Sequence, residues 1–299
     1  MPAITAIHPA SGSPSGGNFV IITGSGFIGP TTVYFGGTAT TFIQDSPVQI
    51  TAVSPPGAGT MLITVHNSGG VSNGVPYTYG SGGSRAPAIF GPGTSIMSDG
   101  GPPFGSWGTV AAVGYDALGN PVALTAGHLM TRNTGTQEVF LTGNPGLGPI
   151  GYYATWTTNW PGFPSTQFPF DSSKDYAVIK LDTAKITPVN RMPNGAVINR
   201  IGVNPVPFRD ILCKYGQVSG TTYGLVIEYK NNVIRSWTPL IPGDSGGPAT
   251  TPSGFVGISS AINPLIPWAP FQFSGIHGIL ADIAAQGPNT IGIGFTPLP

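Results

Sequence analysis

Pro242-Gly-Asp-Ser-Gly-Gly-Pro248 is the stretch whose reading decides the fold. Gly243 stands two residues ahead of Ser245, so the chain can turn until the amides of both residues converge on one point, as acyl transfer by a serine hydroxyl requires. Gly246 and Gly247 leave room for another backbone to approach closely. A serine used in this way needs a base, and the base needs an orienting group. Thr125-Ala-Gly-His128-Leu lies at the end of a predicted strand, and Asp175 opens Asp-Tyr-Ala-Val-Ile-Lys-Leu, a carboxylate directly ahead of a strand that reads as buried. Taken alone, each has a plain alternative: a surface turn, a structural histidine, a solvated strand-edge aspartate. His8, His66 and His277 lack comparable flanks and read as structural or solvated.

Outward from this stretch the chain reads as all-β. Gly108 to Tyr115 and Pro121 to Thr125 flank the turn Asp116-Ala-Leu-Gly-Asn120 and predict a hairpin. Further strands are expected at Tyr176 to Leu181, Gly224 to Tyr229, Val233 to Trp237 and Phe255 to Ser259. Helical periodicity is confined to Ile279 to Ala285, which allows about two turns. Toward the N-terminus, Phe19 to Ile22, Thr32 to Phe35, Gln49 to Val53 and Met61 to Val65 alternate with turn-rich segments, a spacing that suits roughly seven strands of a small sandwich. Gly80-Ser-Gly-Gly-Ser84 separates the two regions and reads as a flexible linker. The expected organisation is therefore 1–80, a linker over 81–85, and 86–299.

Composition narrows the function classes. The chain has 299 residues, of which 46 Gly and 32 Pro make up about a quarter, yet the apolar share is 40% and falls in short runs bounded by turns, as in β proteins. Only 7% of residues are charged, and 11 basic side chains balance 11 acidic ones, which leaves no footprint for nucleic acid or an acidic membrane. No apolar run is long enough for a membrane-spanning helix, and the start, Met1-Pro-Ala-Ile-Thr-Ala, does not resemble a secretory signal. Cys213 is the only cysteine, so an intramolecular disulfide and a multi-cysteine zinc site are both excluded. The chemistry of the serine needs neither metal nor organic cofactor.

Two resemblances sharpen this reading. Pro9-Ala-Ser-Gly-Ser-Pro-Ser-Gly-Gly17, Val20-Ile-Ile-Thr-Gly-Ser-Gly-Phe27, Val33-Tyr-Phe-Gly-Gly37 and Gly74-Val-Pro-Tyr-Thr-Tyr79 resemble the IPT/TIG family of immunoglobulin-like domains, which implies a β-sandwich serving as spacer or binding module. His128, Asp175 and Ser245 follow the chain order of chymotrypsin-like serine proteases, unlike subtilisins or α/β-hydrolases. Leu212-Cys-Lys-Tyr-Gly-Gln-Val-Ser-Gly-Thr-Thr-Tyr-Gly224 is similar to the corresponding stretch of the bacterial streptogrisin and α-lytic branch. The implied fold is an immunoglobulin-like sandwich followed by a chymotrypsin-like double β-barrel with a short C-terminal helix. The implied activity is endopeptidase, with Ser245 as nucleophile, His128 as general base, Asp175 as its orienting carboxylate, and Gly243 and Ser245 as the oxyanion hole.

The resemblance implies further roles. A basic residue after the cysteine braces the aspartate ahead of the nucleophile in the bacterial branch, which assigns Lys214 to Asp244; animal members use a new N-terminal amine, for which this chain has no matching activation site. Ser260, in Gly257-Ile-Ser-Ser-Ala261, aligns with a serine that touches the triad carboxylate. Relatives pair the cysteine here with a second one, which this chain lacks, so Cys213 is expected to be a buried, inert thiol. At the pocket, Pro239 offers no charge, Ala261 and Ile262 stand as walls, and Ile262 replaces a common glycine, which implies cleavage after small or medium apolar residues. The expected partners are a protein or peptide substrate and, through residues 1–80, a polysaccharide, cell surface or phage virion. The expected setting is extracellular or the cell surface, alternatively a virion. The rival reading is a non-catalytic adhesion or virion structural protein with a protease-like fold, and a third is an esterase with the same triad.

Overall fold

The computed structural model describes residues 1–12, 14, 16–80, 87–98, 106–131, 136–157 and 172–299, with backbone only at residue 19. The predicted linker 81–85 lies outside the described residues. Two compact units are present: Met1–Ala86 together with Gly143–Gly148, and Pro87–Thr142 together with Pro149–Pro299.

The first unit is a two-sheet sandwich. One sheet has the order Ala3–His8, Phe19–Ser25, Gln49–Val53, Phe42–Ser46. The other runs Ser11–Gly12, Val75–Tyr79, Gly59–Asn67, Thr31–Phe35, Thr38–Thr40, with Gly70–Val71 added to Gly59–Asn67. Alternation explains the packing: Ile50 and Ala52 are buried while their neighbours Gln49, Thr51 and Val53 are half-buried. Val20, Ile22, Val33, Phe35, Ile63, Val65 and Tyr77 complete one apolar core.

In the second unit an eight-stranded antiparallel sheet precedes a closed barrel. The sheet order is Trp107–Thr109, Ser95–Ser98, Glu138–Leu141, Gly151–Trp156, Ala177–Leu181, Pro121–Thr125, Ala112–Tyr115, Thr296–Pro297. The run expected as one strand, Gly108 to Tyr115, is two, because the chain changes partners at Val110 and Ala111. The Val110 amide donates to the Thr94 carbonyl and the Ala111 amide to that of Leu124. Since Trp107–Thr109 and Ala112–Tyr115 lie toward opposite edges yet are only two residues apart, the sheet curls into a half-barrel. The predicted hairpin is present, its turn held by the Asp116 carboxylate, which accepts from the amides of Leu118 (3.0 Å), Asn120 (2.8 Å) and Gly292 (3.0 Å).

The closed barrel has six strands in the order Ile211–Gly216, Gly220–Lys230, Val233–Ser236, Phe271–Gly275, Gly254–Ile262, Pro248–Thr251. Leu212, Val226, Ile234, Ala249, Val256 and Phe273 fill it. A larger apolar cluster joins the two sheets, with Leu124, Leu129, Tyr176 and Val178 from one and Phe255 and Ile258 from the other. The C-terminal helix Ile276–Ala285 begins three residues earlier than its periodicity suggests and buries Ile276, Ile279 and Ile283 in that cluster. The fold is all-β as expected, an immunoglobulin-like sandwich plus a chymotrypsin-like pair of β-layers, of which one closes fully and the other is curled.

Candidate active site

His128 lies on the single 3₁₀ turn Gly127–Leu129, just past the end of Pro121–Thr125, and Asp175 lies between the turn Ser172–Lys174 and the strand Ala177–Leu181. These two strands pair with Thr125 opposite Ala177, so both residues emerge at the same end of the sheet. The Asp175 carboxylate grips His128 twice: Oδ1 accepts from the main-chain amide at 2.9 Å and Oδ2 meets Nδ1 at 2.8 Å. Its side chain is 1% exposed, that of His128 19%. With Nδ1 donating to the carboxylate, the neutral ring carries its lone pair on Nε2. Burial alone pushes the imidazole down, but the charge and hydrogen bond of Asp175 outweigh it and leave His128 above its ordinary value. Burial likewise pushes Asp175 up, and His128 and then Ser260 outweigh it, so the carboxyl is held low.

Ser260 reaches Asp175 Oδ2 at 2.7 Å. The reason is a β-bulge in Gly254–Ile262: Ser259 faces Phe273 and Ala261 faces Gln272, which leaves Ser260 as the extra residue with a redirected side chain. Ser259 holds the turn over 243–247 through its main chain, its carbonyl accepting from the Gly246 amide at 2.8 Å.

Thr109 ties Ser245 to the histidine's strand. Its amide donates to the Ser245 carbonyl (2.8 Å), its hydroxyl to the Gly243 carbonyl (2.9 Å), and its own carbonyl accepts from the Thr125 hydroxyl (2.8 Å), three residues ahead of His128. Gly246 permits this approach, having φ +85° and a Cα from which a methyl group would fall 2.2 Å from Thr125 Oγ1. Gly243 turns at φ +95°. Among the described residues, the amides of Gly243 and Ser245 donate to no acceptor.

Between them Asp244 points inward. It forms an ion pair with Lys214 at 2.7 Å, both side chains fully buried. The carboxylate also accepts from the amides of Val218 (3.2 Å), Ser219 (3.0 Å) and Ile241 (3.1 Å) and from the Ser219 hydroxyl. Burial pushes Asp244 up, and the Lys214 and Ser219 hydrogen bonds outweigh it and hold it low. Lys214 is thus no solvated surface lysine.

Among the residues expected to form a pocket, two lie on the strand Gly254–Ile262 of the closed barrel and Pro239 lies outside its strands. Pro239 is exposed, with its carbonyl taking the Thr222 hydroxyl at 2.7 Å. Ala261 is half-buried opposite Gln272, and Ile262 is 40% exposed opposite Phe271. Cys213 is half-buried, less enclosed than expected, beside a shallow hollow lined by Ile211, Tyr223 and Thr250; burial pushes its thiol up, which disfavours the reactive thiolate. Sequence reasoning missed Thr109, Thr125, Ser219 and Ser274, whose hydroxyl donates to the Asp175 carbonyl at 3.3 Å. Thr125 and Ser219 lie inside stretches quoted above, but nothing there marks their contacts, and only the folded register reveals all four. Among the described residues no cluster of three metal-ligating side chains occurs, and no helix is long and apolar enough to cross a membrane.

The fold defines an all-β chain in which an immunoglobulin-like unit is followed by a chymotrypsin-like one. Residues 2–79 match the family model of the IPT/TIG domain. No curated protein matches the chain. Among solved structures it is similar to Protease A of Thermobifida fusca, with 19% identity, TM-score 0.47, and coverage of 71% of this chain and 98% of that one. A Nocardiopsis protease is similar at 18% identity and TM-score 0.46, covering 65% of this chain and 96% of that one. The chymotrypsin of Cellulomonas bogoriensis is similar at 20% identity and TM-score 0.43, covering 65% and 94%.

Proposed function

We propose that this chain is a serine endopeptidase that cleaves peptide bonds through an acyl-enzyme. The observation that carries the reading is the Asp175 carboxylate, which binds both the ring and the main-chain amide of His128 and so leaves Nε2 as the basic nitrogen. In the proposed reaction His128 Nε2 takes the Ser245 hydroxyl proton as the oxygen attacks the scissile carbonyl, and the amides of Gly243 and Ser245 receive the oxyanion. His128 then returns the proton to the leaving amine. Water repeats the sequence on the ester, again deprotonated by His128, and frees Ser245. Asp175 keeps the proton on Nδ1 and stabilises the imidazolium.

A fluorophosphonate probe with the full chain tests this. Labelling at Ser245 that disappears in Ser245→Ala and weakens in His128→Ala is expected; no labelling of the wild type refutes catalysis and leaves a binding protein. Parallel ester and peptide substrates separate an esterase from an endopeptidase. The pocket preference for small or medium apolar residues follows from uncharged Pro239 and from Ile262 as a wall, and a peptide library tests it.

The IPT/TIG unit is read as a tether holding the enzyme on a polysaccharide, cell surface or virion. Cosedimentation of the full chain with insoluble polymer or cells tests that role. Action outside the cell, or on a particle, is the setting this reading proposes, and its detection in culture medium or purified virions tests it.

A further inference from the structure

Asp282 is a buried carboxylate on the C-terminal helix, 7% exposed, with no role in the chemistry described above. Its two oxygens are divided between the two neighbours of the triad aspartate. Oδ1 accepts from Lys174 Nζ at 2.7 Å and Oδ2 from the Tyr176 hydroxyl at 2.8 Å. Tyr176 is fully buried, and its hydroxyl also accepts from Gln286 Nε2 at 2.9 Å, one turn further along the helix. Burial, then Asp282, pushes that hydroxyl above the ordinary phenol range, so it stays a donor.

The same region of the fold holds the preceding turn. Asn232 Nδ2 donates to the Ser173 carbonyl at 2.6 Å while its Oδ1 accepts from the Gly278 amide in the first turn of the helix at 3.0 Å. The Ser274 hydroxyl donates to the Ser172 carbonyl at 2.6 Å. Ser172, Ser173, Lys174 and Tyr176, on both sides of Asp175, are thereby referenced to the helix or to the strand that feeds it, and Asp282 supplies the two side-chain contacts that bracket Asp175 itself.

We propose that Asp282 is a positioning residue for the triad: by clamping Lys174 and Tyr176 it fixes the backbone from which Asp175 reaches His128, so the seat of the C-terminal helix sets the basicity of the catalytic imidazole. This rests on the serine endopeptidase reading for its kinetic consequence, though not for its effect on His128. A carboxylate at position 282 costs burial energy that an apolar residue on the same helical face would not incur. Its two bonds both go to the neighbours of one residue, which a role in packing alone does not explain. A displacement of about 1 Å in a positioned group lowers turnover by about 10²-fold, which sets the scale of the effect.

The test uses the full chain carrying Asp282→Asn or Tyr176→Phe, with kcat and KM against a peptide substrate and the His128 imidazole titration by NMR, assigned with His128→Ala. The expected result for Asp282→Asn is kcat lower by about 10- to 100-fold with KM within about twofold. The His128 titration should move to lower pH by about half a unit or more, because a shifted Asp175 attracts the imidazolium less. Tyr176→Phe should give the same pattern at smaller size, and it keeps the ring packing, so it decides the matter if Asp282→Asn does not fold. A folded variant with unchanged kcat and titration overturns the proposal. So does activity that falls only in proportion to the folded fraction while the titration stays put. Failure of the wild type to label with fluorophosphonate removes the endopeptidase reading instead, and the titration still decides whether Asp282 positions Asp175.

Discussion

Replacing Lys214 with Met keeps the buried volume and deletes the charge. Asp244 would then be a fully buried carboxylate without a cation. Removing one partner of a buried ion pair costs about 3–5 kcal/mol when the remaining charge is uncompensated. Here three amides, of Val218, Ser219 and Ile241, and the Ser219 hydroxyl still donate to Asp244, so we expect the bottom of that range, about 3 kcal/mol. Activity should suffer more than stability. Asp244 lies in sequence between the two proposed oxyanion amides, so its shift moves both, and loss of even one such donor costs about 10²–10³ in kcat. Lys214→Met should therefore fold, unfold at lower urea concentration, and lose at least about 10²-fold in kcat with little change in KM, since the hole acts mainly on the transition state. Adding Asp244→Asn removes the orphan charge; the double variant should regain stability without regaining turnover, because the loop is still unbraced. Urea denaturation and steady-state kinetics on the three proteins provide the readout. A folded Lys214→Met with wild-type kcat would refute the bracing argument.

Four further outcomes follow from the geometry. Because His128 titrates above its ordinary value, the acid limb of kcat/KM should lie above about pH 6.5, and it should drop in Asp175→Asn; a limb below that pH in the wild type contradicts the coupling. The stability signs differ for the partners: the raised His128 contributes fully below its unfolded value and is lost as pH rises through the folded one, whereas the lowered Asp175 contributes above its unfolded value and is lost as pH falls through the folded one. Denaturation against pH should thus show the pair's contribution largest between the unfolded value of Asp175 and the unfolded value of His128, falling off toward the folded value on either side. Gly246→Ala should lose about 3 kcal/mol or more in urea denaturation, since its methyl group meets Thr125 Oγ1 at 2.2 Å in a left-handed backbone, and unchanged stability would contradict the close approach. Ile262→Gly should widen the proposed pocket and shift preference toward large aromatic residues in a peptide library; an unaltered profile places the wall elsewhere.

What the sequence made legible was local. The proposed triad, the proposed oxyanion residues Gly243 and Ser245, and the Lys214 and Asp244 pair could each be read because a motif confines their chemistry to a few positions; in the fold Asp175 meets His128 and Lys214 meets Asp244. Strands such as Pro121–Thr125 and Gln49–Val53 were legible to the residue because turn signals bound them on both sides. The rest depends on register. Nothing near Thr109 in sequence points to Ser245, and the link appears only once Trp107–Thr109 and Pro121–Thr125 are brought together by a curled sheet. Ser260 was assigned by alignment, but why it and not its neighbour Ser259 turns to Asp175 needed the bulge, since alternation along a regular strand assigns opposite faces but cannot say where an extra residue falls. Asp282 was the least legible, for its partners lie about a hundred residues away and its own helix reads as an apolar surface helix with one acidic position. A charge on the buried face of such a helix is a cost that an isolated sequence leaves unexplained, and the contacts to Lys174 and Tyr176 supply the compensation on either side of Asp175, the carboxylate proposed for the triad.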